Sequence, residues 1–144
     1  MNTATDQAQL RSLLDSWVKA NLAKDLEGII AHYTADVLAF DAILQLQFKG
    51  REAYQAHWQK CLEMCAGPST FEVRELQLET SGELGFGHFL AHCAGTDAEG
   101  KTQGCWLRVS QGYRKQQGAW LIAHEHFSVP FDPQSGTALF GLEP

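Results

Sequence analysis

The stretch Gly118-Ala119-Trp120-Leu121-Ile122-Ala123-His124-Glu125-His126-Phe127-Ser128-Val129-Pro130 reads as one strand. Side chains of a strand alternate between two faces, so Trp120, Ile122, His124, His126 and Ser128 share one side while Leu121, Ala123, Glu125, Phe127 and Val129 share the other. The first face is apolar at one end and carries two histidines and a serine at the other, as the wall of a small-molecule pocket would. An HxH pair on one face also suits zinc when a third ligand joins it, and His88, His92 and Asp41 are the candidates for that place.

Working outward, three more strands are expected before this one, at 71–79, 85–96 and 102–115, separated by Ser81-Gly82, Asp97-Ala98-Glu99-Gly100 and Gln116-Gln117-Gly118. Connections this short require antiparallel neighbours. Phe71 and Val73 have one parity and Leu76 and Leu78 the other, so a β-bulge near Arg74 or Glu75 is predicted to bring all four onto one face. Ahead of the strands lie three helical patterns. Leu10, Leu13, Leu14, Trp17 and Val18 form one buried stripe, with Thr5 or Asp6 as cap. A shorter helix starts at Asp25 as N-cap and buries Leu26, Ile29, Ile30 and Tyr33. Tyr54, Trp58, Cys61, Leu62 and Cys65 recur at helical spacing from Arg51 until Gly67-Pro68 ends the pattern. Between the second and third helices, residues 37–44 read as a strand covered on both sides, which makes the lone carboxylate of Asp41 conspicuous.

Helices followed by a run of strands give an α+β fold, with three N-terminal helices packed on a strongly curved antiparallel sheet. Such a sheet leaves a cone closed by helices at its narrow end. The 144 residues fit a single domain, 1–144, in which 131–144 forms an irregular tail docked through Phe140 and Leu142. A net charge of −6 with no Lys/Arg block argues against nucleic acid or an anionic membrane as partner. The absence of a long apolar run or a secretory start leads to the expectation of a cytoplasmic protein. Cys61, Cys65, Cys93 and Cys105 lie in apolar patterns and are expected to be buried thiols.

Two segments carry a family resemblance: Lys24-Asp25-Leu26-Glu27-Gly28-Ile29-Ile30-Ala31-His32-Tyr33-Thr34-Ala35-Asp36 running into Phe40-Asp41, and the closing Gly118-Ala119-Trp120 through His126-Phe127-Ser128. In these segments and in its element order the chain resembles the nuclear transport factor 2-like superfamily, in particular its SnoaL-like and ketosteroid-isomerase-like branch. The resemblance implies a cone-shaped, cystatin-like α+β barrel. The superfamily includes isomerases, polyketide cyclases, dehydratases, epoxide hydrolases and assembly domains, so fold alone does not fix activity. By the same resemblance Asp41 falls where ketosteroid isomerases carry their proton-shuttling aspartate. Trp17 stands in the place of their helix tyrosine, and no carboxylate lies around Val109 to Gln111, so a true steroid isomerase is not expected.

The expected site therefore combines Asp41 as general base, His126 as proton donor or relay and Arg108 as partner for negative charge, since Trp106, Arg108 and Ser110 share a strand face. Trp17, Phe40, Trp106, Ser110, Trp120 and His124 are expected to contact the ligand, a mostly apolar organic molecule. The chemistry expected is cofactor-free acid/base catalysis of isomerase or lyase type, with no metal. The alternative is a non-catalytic ligand-binding or dimeric assembly module. In both cases a homodimer through the convex sheet face, with Leu121, Ala123 and Phe127 pointing outward, is anticipated.

Overall fold

The computed structural model describes residues 3–65 and 67–144. Helix α1 (Thr3–Leu22) buries Leu10, Leu14 and Trp17, a stripe at i, i+4, i+7. Thr5 and Asp6 both lie inside its first turn, and Asp6, instead of capping, accepts from Lys115 Nζ at 3.1 Å. Helix α2 (Leu26–Ile30) starts where expected, because the Asp25 carboxylate accepts the Gly28 backbone N–H at 3.0 Å. Helix α3 (Arg51–Met64) buries Tyr54 and His57 on one side.

The strands are β1 (Tyr33–Phe40), β2 (Phe48–Lys49), β3 (Ser69–Ser81), β4 (Leu84–Thr96), β5 (Thr102–Gln116) and β6 (Ala119–Ser128). They form one sheet in the order β2-β1-β6-β5-β4-β3. The class is α+β, as read from the sequence, but two details of the sheet differ from the expectation. β1 pairs with β6 in parallel, so the sheet is mixed. Short turns dictate antiparallel pairing only along β3 to β6; the chain returns to β1 after the whole excursion through α3, which imposes no such direction. The sheet is also open, with β2 and β3 as edges. The bulge expected near Arg74 is present: register shifts between Arg74 and Gln77, and Glu75 takes a φ of +58°. It turns Phe71, Val73, Leu76 and Leu78 toward the same core.

A second bulge changes the reading of β6. Gly112 pairs with His124 and Tyr113 with Ile122, so Ala123 has no partner on β5. One unpaired residue reverses the parity of everything after it. Trp120 and Ile122 point into the core, and beyond Ala123 it is Glu125 and Phe127 that do so; His124, His126 and Ser128 go to the other face. The expected single face of Trp120, Ile122, His124, His126 and Ser128 is thus divided, and Phe127, expected outside, is buried. β1 also ends earlier than read: residues 41–47 lie outside any strand, with bends at 42–46 and with Ile43, Leu44 and Leu46 exposed.

Trp17 occupies the centre of the core, fully buried, with the rings of Phe71, Phe89, Phe127 and Trp58 at centroid distances of 5.2, 6.3, 6.3 and 6.5 Å. Its indole N–H donates to the Tyr33 hydroxyl at 2.9 Å, so the one polar atom of this large side chain is satisfied. The hub holds α1 against the inner face of β3, β4 and β6.

Candidate functional site

Between α3 and the inner sheet face lies a cavity of ≈ 590 Å³. Trp58 and Leu62 of α3, Phe71 of β3, Leu107 of β5 and Phe127 and Val129 at the end of β6 make it mostly apolar, and Ala138 and Phe140 of the tail reach its wall. That volume and lining suit an organic molecule of modest size. All four cysteines of the chain border it, as free thiols that are half-buried rather than fully enclosed. Burial pushes the Cys61 and Cys93 thiols up to about 12, which keeps them protonated and poorly nucleophilic.

Polar chemistry is concentrated in two places. The first is Glu125, turned inward by the Ala123 bulge and without solvent exposure. Its carboxyl accepts from the Tyr33 hydroxyl at 2.9 and 3.0 Å, from Gln111 Nε2 at 2.7 Å and, in a short contact, from the Tyr54 hydroxyl. Tyr113 in turn donates to Gln111 Oε1 at 2.6 Å, which fixes the amide's orientation. Burial pushes the Glu125 carboxyl up to about 7, against the opposing pull of the donors Tyr54, Gln111 and Tyr33. Burial also raises Tyr33 and Tyr54, with the Glu125 charge adding to it. Tyr54 links this network to the cavity, because its ring lines the wall while its hydroxyl reaches Glu125.

The second is the Asp41–His57 pair. Asp41 sits one residue past the end of β1, where the chain leaves the sheet and the side chain is released from strand alternation. Asp41 Oδ1 accepts from the Ala42 N–H at 2.8 Å, and Oδ2 makes a close hydrogen-bonding contact with His57 Nε2. The imidazole is held flat by the Phe48 ring, stacked at 4.0 Å, and the Tyr54 ring lies nearly parallel to it at 6.0 Å. Cys61, one turn further along α3, places Sγ 3.6 Å from the same Nε2. The imidazole is 3% exposed and the carboxylate 18%, so of the pair it is Asp41 that borders the mostly apolar cavity, while the imidazole is enclosed. A carboxylate-supported imidazole in such a place can take up and return a proton.

The SnoaL-like domain family matches residues 10–132. The chain belongs to the SnoaL-like family. An NTF2-like protein of unknown function from Pseudomonas putida KT2440 has 42% identity over 99% of both chains, with a TM-score of 0.92. A ketosteroid isomerase-like protein from Erwinia carotovora atroseptica is 20% identical, covering 84% of this chain and 93% of its own at a TM-score of 0.73. A cystatin-like protein from Caulobacter vibrioides is 13% identical, covering 90% and 92% at the same TM-score of 0.73. The last two likenesses establish fold alone. No curated protein matches the sequence.

Within this SnoaL-like chain the residues singled out from sequence are dispersed. Asp41 borders the cavity. His126 is exposed on the opposite sheet face, edge-on to Phe40, and His124 beside it bonds the Leu38 carbonyl at 2.6 Å. Arg108 and Ser110 are exposed on that same outer face, where Arg108 donates to Ser128 Oγ at 3.1 Å. Trp106 carries the Arg74 guanidinium 4.7 Å above its ring. Trp17 and Trp120 are core rather than wall. Asp41, one residue beyond the end of β1, lines with His126 and residues 42–47 a second, more open hollow of ≈ 670 Å³, whereas Arg108 borders neither this hollow nor the apolar cavity. Two residues were missed. His57 falls on the Tyr54–Cys61 stripe, three residues from one and four from the other, but stands among apolar residues that account for the stripe without it. Glu125 was passed over on a face otherwise made of Leu121, Ala123, Phe127 and Val129, where the argument that flagged Asp41 applies equally.

Proposed function

We propose that this SnoaL-like chain binds a mostly apolar organic molecule in the ≈ 590 Å³ cavity and moves a proton on it with the Asp41–His57 pair, as an isomerase or lyase would. The observation that carries the reading is the close contact between His57 Nε2 and the Oδ2 of Asp41, a carboxylate that borders a mostly apolar cavity. The ligand's carbonyl or hydroxyl meets the polar end while its hydrocarbon frame lies along Trp58, Phe71 and Leu107. A steroid isomerase is not proposed, since Trp17 is enclosed in the core and donates to Tyr33 rather than to a ligand.

The test uses β-tetralone, an apolar ketone with acidic α-protons, in D₂O. NMR should show wild type accelerating α-deuteration over buffer, with Asp41→Asn slower by roughly 10²–10³-fold. Binding of the ketone with no acceleration by wild type would leave the non-catalytic binding module as the reading. We also propose a second copy of the chain on the outer sheet face, supported by the half-exposed Phe86 and the outward His88, Arg108 and His126 there. Light scattering should then give twice the mass of one chain, and Phe86→Glu should give a monomer.

A further inference from the structure

The Asp41–His57 end has one feature that proton transfer does not use. Three donors of different kinds, a carboxylate oxygen, an imidazole nitrogen and a sulfur, lie within 4.8 Å of one another in Asp41, His57 and Cys61. His57 and Cys61 stand four residues apart on α3, the spacing that puts two side chains on one helix face a turn apart. Asp41 comes from a different element and is aimed by the bond from Ala42 N–H to its Oδ1, which leaves Oδ2 to converge with the others. A relay through an imidazole employs its two nitrogens on two partners. Here Asp41 and Cys61 crowd the same Nε2, with Sγ at 3.6 Å, so a Cys-His-Asp relay is not formed. Three lone-pair donors around one point are instead the arrangement a cation takes.

We propose that Asp41, His57 and Cys61 form a divalent-metal site of the zinc class whose fourth position opens on the cavity. A mixed oxygen, nitrogen and sulfur set fits Zn²⁺ or Co²⁺, whereas Mg²⁺ and Ca²⁺ call for oxygen alone. Three protein ligands with one position left open is the pattern of sites that hold water or a ligand oxygen. Asp41 and Cys61 themselves border the cavity, so that position is directed at the organic molecule. The imidazole needs no reorientation, because Phe48 already fixes its plane. Loading displaces the proton shared by Asp41 and His57 and the thiol proton of Cys61, so the ion and the shared proton compete for one place. The inference rests on the Asp41–His57 end being the working end of the cavity, and it does not require turnover.

The experiment is a Co²⁺ titration of the full chain, stripped with chelator and free of any organic ligand, followed by absorption. One equivalent should produce visible bands of tetrahedral cobalt and a near-ultraviolet thiolate-to-cobalt band, both removed by Zn²⁺. Cys61→Ser should abolish the near-ultraviolet band, His57→Gln should weaken binding by roughly 100-fold or more, and Cys93→Ser and Cys105→Ser should leave both signals intact. Folded wild type without these bands would overturn the proposal, and so would bands that persist in Cys61→Ser and His57→Gln. Deuteration of β-tetralone measured in chelator reads proton transfer separately, so failure of one reading is not failure of the other.

Discussion

Because burial lifts the Glu125 carboxyl from an ordinary 4.5 to about 7, the folded chain retains a proton there that the unfolded chain has already released. Stability is therefore expected to fall as pH rises from about 4.5 to about 7 and to level off above, a change on the order of 3 kcal/mol from this residue alone. Urea denaturation between pH 5 and pH 8 should show that slope in wild type, and a flatter one in Glu125→Gln even though the substitution lowers absolute stability by disturbing Tyr33, Tyr54 and Gln111. An unchanged slope in the variant would remove Glu125 as its source. Trp17 makes a second residue-level case: truncation to Ala should cost about 3–5 kcal/mol, because four aromatic neighbours lose their common contact and Tyr33 loses a donor.

At the level of the element, the bulge in β6 decides which residues can act. Deleting Ala123 would restore simple alternation against β5 and send either Trp120 and Ile122 or Glu125 and Phe127 out of the core. The deletion should leave the chain largely unfolded by circular dichroism, whereas Ala123→Gly, which keeps the count, should fold with a loss of about 1 kcal/mol or less. A folded deletion variant with an unchanged melting temperature would show that the register is not held there. The two bulges also explain what could be read from sequence. The one in β3 was legible because Phe71 and Val73 against Leu76 and Leu78 change parity visibly in the apolar pattern. The one in β6 was not, since Trp120, Ile122, Phe127 and Val129 are interrupted by His124, Glu125 and His126, and a pocket wall gives as good an account of polar residues as a bulge does. The same ambiguity carried His126 onto the wrong face and hid Glu125. Helix α2 was legible through Asp25, a local cap, while the end of β1 was not, because Ile43 and Leu44 look like strand interior and are exposed in the fold.

Across the whole molecule, the parallel pairing of β1 with β6 brings the start of the sheet beside its end. It sets Ala39 opposite Glu125 and carries Asp41 past the sheet toward α3, so that residues distant in sequence share one cavity while the histidines of β6 remain outside. No helix among the described residues is long and apolar enough to cross a membrane. The arrangement divides the titratable groups into an inner set, Asp41, His57 and Glu125, and an outer set, His88, Arg108, His124 and His126. If the inner set performs the chemistry, the two should respond differently to substitution. The most direct measurement is the rate of α-deuteration of β-tetralone in four variants compared side by side with wild type. Asp41→Asn and His57→Gln should each lose about 10²-fold or more, while His126→Ala and Arg108→Ala stay within about twofold of wild type. A loss in His126→Ala as large as that in Asp41→Asn would contradict the account.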